Sequence, residues 1–189
     1  MTVSQSLDRR FRDAAAATGL LDVSYDVIDS PIGPLLLAAN ERGLCRIEFD
    51  PDPDAELDRL SRTYGVRVLR APRRLDTARG QLEEYFAAER HQFELETDIS
   101  RLPQFQQRAL TALARVPFGE VTTYGTLAVQ IGHPRAARAV GGAMNRNPIP
   151  IVLPCHRVVG SNGSLVGYGG GLARKRALLE LEGLTIPGV

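Results

Sequence analysis

One lysine, two cysteines and three histidines in 189 residues leave little material for a metal centre. Cys45 has only His91 and His133 within reach of its half of the chain, and Cys155 has only His156 beside it. Four zinc ligands are not available in either place, so no metal and no cofactor is expected. No apolar run approaches the ~20 residues of a membrane helix, so no membrane partner is expected either. The opening stretch Met1–Leu20 contains Leu7 and Phe11 but also Asp8 and Asp13, without the basic start and apolar stretch of an export signal. It reads as a short amphipathic extension, and the expected location is cytoplasmic. Both cysteines are then expected as free thiols. Repeats and low-complexity segments are absent. Acidic residues are scarce in one half: residues 101–189 hold ten basic residues against three acidic ones, a surplus of seven that leaves the remainder at −6. An acidic first half joined to a basic second half points to a polyanion partner for the second.

What is present organises into two parts. Val23, Tyr25 and Val27 alternate with Asp22, Ser24 and Asp26, the pattern of a half-buried strand. The turn Ser30-Pro31-Ile32-Gly33-Pro34 leads to a second strand at Leu35–Ala39. A third carries Cys45, Ile47 and Phe49 on one face, completing a three-stranded antiparallel start. Cys45 is expected there as a small buried hydrophobe. Leu57, Leu60 and Tyr64 form one helical stripe, and Leu75, Ala78, Leu82, Tyr85 and Phe86 another, with a strand at Val66–Leu69 between them. Periodicity fades near 92–102. The expected division is an extension at 1–20, an α/β domain at 21–97, a linker at 98–102 and a second domain at 103–189.

The second domain reads as mostly helical. Phe105, Ala109, Leu110 and Leu113 form an apolar face that stops at Pro117-Phe118-Gly119. Tyr124, Leu127, Ala128 and Ile131 make a short helix with Thr122 or Thr123 as its cap. Gly132-His133 turns the chain, and Pro134 stands where a second helix would begin. This is helix-turn-helix spacing. The second helix directs Ala137, Val140 and Met144 inward, while Arg135, Arg138 and Gly142 lie towards another face. The pair Gly141-Gly142 costs such a helix ~1 kcal/mol per residue relative to alanine. Two explanations stand level: close approach to DNA, or tight helix–helix packing. Asn162-Gly163 reads as a hairpin between Val158-Val159 and Leu165-Val166. Gly167-Tyr168-Gly169-Gly170-Gly171 is a loop, and a last helix runs from about Leu172 to Glu182 with Ala177, Leu178 and Leu181 inward.

The segment from Asn147 to Val158 carries the chemistry. A free thiol is only a few per cent thiolate at neutral pH unless a base or a favourable site raises that fraction. Cys155 and His156 are adjacent in sequence, and strand neighbours point to opposite faces. They cooperate only if the chain turns there, which Pro154 allows. Glu180 and Glu182 are the only acids downstream that could orient the histidine.

Pro154-Cys155-His156-Arg157-Val158 resembles the active-site signature of the methylated-DNA–protein-cysteine methyltransferases, the O6-alkylguanine-DNA alkyltransferases. The resemblance runs through Arg135–Met144, Asn147-Pro148-Ile149-Pro150 and Gly167–Gly171 to Leu181-Glu182-Gly183, about residues 103–184, and the Ser30–Gly33 turn looks like the family's N-terminal domain. It implies an α+β protein: an N-terminal three-layer-like, ribonuclease H-like domain on a small antiparallel sheet, and a mostly helical C-terminal domain with a winged helix-turn-helix. It implies direct reversal of O6-alkylguanine, and of O4-alkylthymine, in double-stranded DNA bound through the minor groove. Cys155 is then the acceptor, His156 takes its proton through a water, Glu182 orients His156, and Asn147 stabilises the turn before the cysteine. Arg138 is the finger that enters the duplex, with Arg135, Ala137 and Gly141 on the same DNA-facing helix. Tyr124 crowds the rotating phosphate and donates to guanine N3. Pro150, Val158, Tyr168, Gly169, Lys175 and Met144 line the base pocket, with the carbonyls of Cys155 and Val158 accepting from the guanine amino group.

The resemblance further implies a monomer in solution and leaves cooperativity on DNA open. Some relatives carry a hydroxyl side chain where this chain has Gly169, so a pocket roomy enough for groups larger than methyl is expected. Two rival readings stand beside this one. A non-catalytic DNA-binding damage sensor or regulator on the same fold accounts for the basic half but not for the cysteine with its histidine and glutamate. A cysteine hydrolase accounts for those three but not for Arg138 and the glycine-rich helix.

Overall fold

The computed structural model describes Arg10, Ala14, Ala15 and residues 18–185. The expectation for 1–20 therefore lies largely outside the described residues. The chain forms a mixed α+β structure that divides into two compact units. One comprises the described residues up to Glu84 together with Glu94–Asp98; the other comprises Tyr85–Phe93 and the described residues from Ile99 onward.

The first unit is built on a four-stranded sheet. Strands β1 (Val23–Ile28), β2 (Leu35–Asn40) and β3 (Gly43–Phe49) are antiparallel neighbours. A fourth strand, β4 (Val68–Arg70), pairs in parallel with β1, so the order is β3-β2-β1-β4. Adding β4 makes β1 an interior strand, and this corrects the expected polar face. Ser24 and Asp26 are buried, and Asp26 accepts from Arg70 Nε at 2.8 Å and Arg79 at 2.6 Å. The fourth strand also starts later than Val66, which is largely exposed. Helix α1 (Pro53–Tyr64) is capped by the Asp52 carboxylate and buries Leu60 against Val23, Leu36, Ala38 and Cys45. Cys45 is fully buried in that cluster, and desolvation pushes its thiol up to about 12. Only glycine fits at position 43: its φ is +127° and a Cβ would lie 2.2 Å from the carbonyl oxygen of Glu96. That approach lets Leu44 N donate to Glu96 O and Asp98 N to Leu44 O, both at 2.8 Å. Helix α2 (Asp76–Phe86) follows a 3-10 turn at Pro72–Leu75; of the expected stripe, Leu75, Ala78, Leu82 and Tyr85 are buried and Phe86 is half-buried.

The second unit is mostly helical. Helix α3 (Gln104–Leu113) buries Ala109, Leu110 and Leu113. Its Gln106 amide donates to Arg146 O at 2.9 Å, closing the end of a later helix. A two-residue parallel ladder joins β5 (Thr122–Thr123) to β6 (Val158–Val159). Thr123 then caps α4 (Tyr124–Gln130) by accepting from Thr126 N. Helix α5 is Ala137–Asn145. It begins three residues after the expected start: Pro134 lies in a turn closed by Ala136 N donating to His133 O, which delays the first helical residue. The turn at Asn162-Gly163 forms, with Gly160 N donating to Ser164 O, but Leu165 and Val166 build no strand, so the expected hairpin is only its tip. Helix α6 (Leu172–Leu181) also differs from expectation. Ala177 is exposed, whereas Lys175, Leu178 and Leu179 face inward.

Candidate functional site

The turn from α5 to Cys155 is shaped by one side chain. Asn147 Oδ1 accepts from Ile149 N at 3.0 Å, an Asx turn. Its Nδ2 donates across the loop to Leu153 O at 2.7 Å and to Cys155 Sγ at 3.2 Å. Pro154 follows with φ −81° and ψ 64°, an inverse γ-turn closed by Cys155 N donating to Leu153 O at 2.8 Å. Cys155–Arg157 is then a single 3-10 turn. This is the local bend that the adjacent cysteine and histidine require, since an extended chain would have separated their side chains. Ile151, within the same loop, has φ +75°, a costly conformation for a β-branched residue that the surrounding hydrogen bonds hold in place.

Cys155 is 6% exposed, and burial raises its thiol to about 11 against the lowering effects of the Asn147 amide and the Lys175 charge. The resting sulfur is therefore a neutral thiol. His156 is completely buried. Its Nε2 lies 2.8 Å from Glu182 Oε1, while Nδ1 is buried with no hydrogen-bond partner among the described residues. Burial would raise the Glu182 carboxyl, but hydrogen bonds from His156 and Arg157 and the Arg157 charge outweigh it and hold the group down at about 2. Glu182 is thus ionised and can only accept, so Nε2 carries the proton. Desolvation, with the Arg157 and Lys175 charges, lowers the His156 pKa against the pull of Glu182. The result is a neutral imidazole whose Nδ1 lone pair is available as a base.

Glu182 also accepts from Arg157 Nε at 2.9 Å and Nη2 at 2.9 Å, from Tyr85 OH at 2.7 Å and from Gly119 N at 3.3 Å. Arg157 Nη1 donates to Val116 O at 2.6 Å. Arg157, Tyr85 and Gly119 were not singled out from the sequence. Arg157 stands within the cysteine's own motif, and asking what neutralises a buried Glu182 would have found it. Tyr85 and Gly119 are 97 and 63 residues from their partner, beyond any spacing signal.

The remaining expected residues fall into two groups. Tyr124, Tyr168 and Lys175 lie near enough to Cys155 for a thiolate there to affect their titration. The Lys175 ammonium is buried and donates to Val158 O at 2.6 Å and Val166 O at 2.8 Å. Desolvation lowers it to about 8, partly offset by Cys155. The Val158 carbonyl therefore already accepts one hydrogen bond. Pro150, Met144 and Val158 are buried, Tyr168 is half-buried and Gly169 is exposed. The other group lies outside this hydrogen-bonded cluster: Arg135 just before α5 and Arg138 within it are exposed, and Ala137 and Gly141 of α5 are half-buried. A Cβ at Gly141 would meet only the Tyr124 ring at 3.8 Å, and one at Gly142 the Arg146 guanidinium at 3.4 Å. Packing within the described residues does not demand either glycine.

Residues 104–184 match the family model described as 6-O-methylguanine DNA methyltransferase, DNA binding domain, and residues 23–99 the one described as 6-O-methylguanine DNA methyltransferase, ribonuclease-like domain. A methylated-DNA–protein-cysteine methyltransferase of Mycobacterium tuberculosis is 46% identical over 168 residues, 87% of this chain and 95% of its own length. One from Methanosarcina barkeri is 43% identical over 168 residues, 84% and 96% of the two chains. The crystal structure of Mycobacterium tuberculosis OGT in complex with DNA is similar with a TM-score of 0.74 at 48% identity, covering 84% of this chain and 92% of that one.

Proposed function

The chain belongs to the methylated-DNA–protein-cysteine methyltransferase family, and from that premise we propose that it repairs O6-alkylguanine in duplex DNA by moving the alkyl group, once per molecule, onto Cys155 Sγ. The observation that carries this reading is the 3-10 turn that holds buried Cys155 beside buried His156, whose Nε2 lies 2.8 Å from Glu182 Oε1. The target carbon lies inside the base stack, so the nucleotide must first leave the duplex, which costs least for a poorly paired base. Arg138 fills the gap and Arg135 meets phosphate, roles that the exposure of both side chains supports. Small Ala137 and Gly141 suit approach of the helix to the minor groove, and the lack of packing constraint at Gly141 supports that reading.

His156 Nδ1 takes the thiol proton through a bridging water as Sγ attacks the alkyl carbon. The S–C bond forms, the C–O6 bond breaks, and the electron pair passes to guanine. Tyr124 protonates N3, and a backbone N–H of the Tyr168–Gly169 loop donates to O6, where charge develops. The proton held by His156 restores the tyrosine and leaves neutral guanine in the strand. Asn147 holds the sulfur through its amide and fixes the loop that carries it. The product is a thioether with no carbonyl for water to attack, so the cysteine stays blocked. O4-alkylthymine presents the same alkyl–oxygen bond beside a ring able to accept the electrons. Gly169 leaves its side of the pocket open to groups larger than methyl.

The test is mass spectrometry of the protein after mixing with a duplex bearing one O6-methylguanine. One methyl per protein, on the Cys155 peptide, with plain guanine left in the DNA, is the expected result. Binding without any mass gain, from protein whose thiol is titratable, would favour a non-catalytic damage sensor instead.

A further inference from the structure

Tyr85 lies outside the cysteine motif and outside residues 104–184, in the stretch matched by the ribonuclease-like model. Its ring is fully buried, and edge or tilted contacts hold it on three sides: Phe86 at 5.5 Å, Phe93 at 5.3 Å and Phe118 at 6.1 Å. Phe118 is itself fixed by His91 stacked at 4.1 Å and lies beneath the Arg157 guanidinium. The next residue, Gly119, gives its N–H to Glu182 Oε2. A side chain needed only to fill this aromatic pocket could be phenylalanine. The hydroxyl instead reaches Glu182 Oε1 at 2.7 Å, the same oxygen that accepts from His156 Nε2 at 2.8 Å. A buried phenol aimed at a carboxylate that already has an arginine partner adds no charge balance. It sets the direction and the electron density of the oxygen that faces the imidazole.

We propose that Tyr85 is a positioning residue for alkyl transfer, acting through Glu182 to set the orientation and basicity of His156. The inference rests on the proposed role of Cys155, His156 and Glu182. Glu182 is faced by Tyr85, His156, Arg157 and the Gly119 N–H; His156 is faced by Glu182, with the Arg157 and Lys175 charges nearby. Removing the phenol donor leaves more negative charge on Oε1 and strengthens its hold on an imidazolium. The acidic limb of the rate profile, where His156 becomes protonated and ceases to act as a base, then moves to higher pH.

The experiment measures the rate of alkyl transfer against pH for the full-length wild type, Tyr85→Phe, Glu182→Gln and the double variant. Tyr85→Phe keeps the ring, and its acidic limb is expected to be displaced upward, so that on that limb it reacts roughly three- to tenfold more slowly than wild type. In the Glu182→Gln background the same change should have little further effect, because the two act through one contact. An unshifted profile in Tyr85→Phe, with Glu182→Gln slow, would overturn the inference and leave Tyr85 a packing residue. A Glu182→Gln protein as fast as wild type would overturn the underlying relay instead. Nitrogen-15 shifts of the His156 ring report the same coupling without turnover, and wild-type-like shifts in Tyr85→Phe would also count against it.

Discussion

Replacing Asn147 by alanine removes three hydrogen bonds at once, and their consequences differ. Ile149 N is buried and has the Asn147 oxygen as its partner, so it is left unsatisfied, at roughly 1–3 kcal/mol. Leu153 O keeps the hydrogen bond from Cys155 N, so losing Nδ2 there costs about 1 kcal/mol. The expected loss of stability is thus about 2–4 kcal/mol, which a folded domain of ordinary stability survives. The third hydrogen bond goes to Sγ. It lowers a thiol that burial otherwise raises, so its loss makes the thiolate harder to form. A hydrogen bond to an anion is worth roughly 1.5–3 kcal/mol, which corresponds to about 10- to 100-fold in transfer rate. Asn147→Asp separates the two roles. It retains an acceptor for Ile149 N but sets a carboxylate oxygen where Nδ2 now donates to the sulfur. Transfer should therefore fall in the order Asn, Ala, Asp, although Asp preserves more of the turn. Urea denaturation gives the stability, and mass spectrometry of Cys155 after reaction with free O6-benzylguanine gives the rate. An aspartate variant as fast as the alanine variant, or an alanine variant as stable as wild type, would refute the reasoning.

Arg138→Ala should slow repair of duplex substrate at least tenfold while leaving the reaction with free O6-benzylguanine within about twofold, because only the duplex needs its stack held open; equal losses on both substrates would contradict the finger role. Gly169→Ser should slow reaction with O6-benzylguanine more than with O6-methylguanine, since the added side chain fits at ordinary contact distance, 3.8 Å from Asn145 O, and takes room that the larger group needs; equal rates would remove the argument for a roomy pocket. Stability should fall on acidification in two stages measurable by thermal unfolding. His156 is held below its ordinary value of 6.5, so the unfolded chain binds a proton first as pH drops through 6.5. Glu182 is held at about 2 against 4.5, so its contribution, about 3 kcal/mol, is complete above 4.5 and vanishes as pH falls through 2. Glu182→Gln should lose the second stage, and an unchanged slope below pH 4.5 would count against the assignment.

Much of the first unit was legible because alternation and helical stripes are local signals. The exceptions were set by distant partners. Asp26 looked like a solvent-facing residue until β4 arrived alongside β1 and brought Arg70, with Arg79 reaching it from α2. Pro134 carried a helix-start signal, but the tight turn back to His133 spent those residues outside the helix. The apolar residues of α6 taken alone point Ala177 inward, whereas the buried face is completed by Lys175. The cysteine, its histidine, its asparagine and its glutamate are singled out by motif order. The hydroxyl of Tyr85 is not, because an apolar stripe records that a ring is buried and says nothing of what its far end touches.

The burial of Lys175 has a practical side. It is the chain's only lysine, so every other basic side chain is an arginine. The folded protein offers amine-directed acylating reagents no exposed lysine. The Lys175 peptide can become labelled only in molecules where the ammonium has let go of Val158 and Val166. The rate at which that peptide acquires label is consequently a built-in gauge of local opening beside Cys155. It can be followed before and after alkylation without introducing a single substitution.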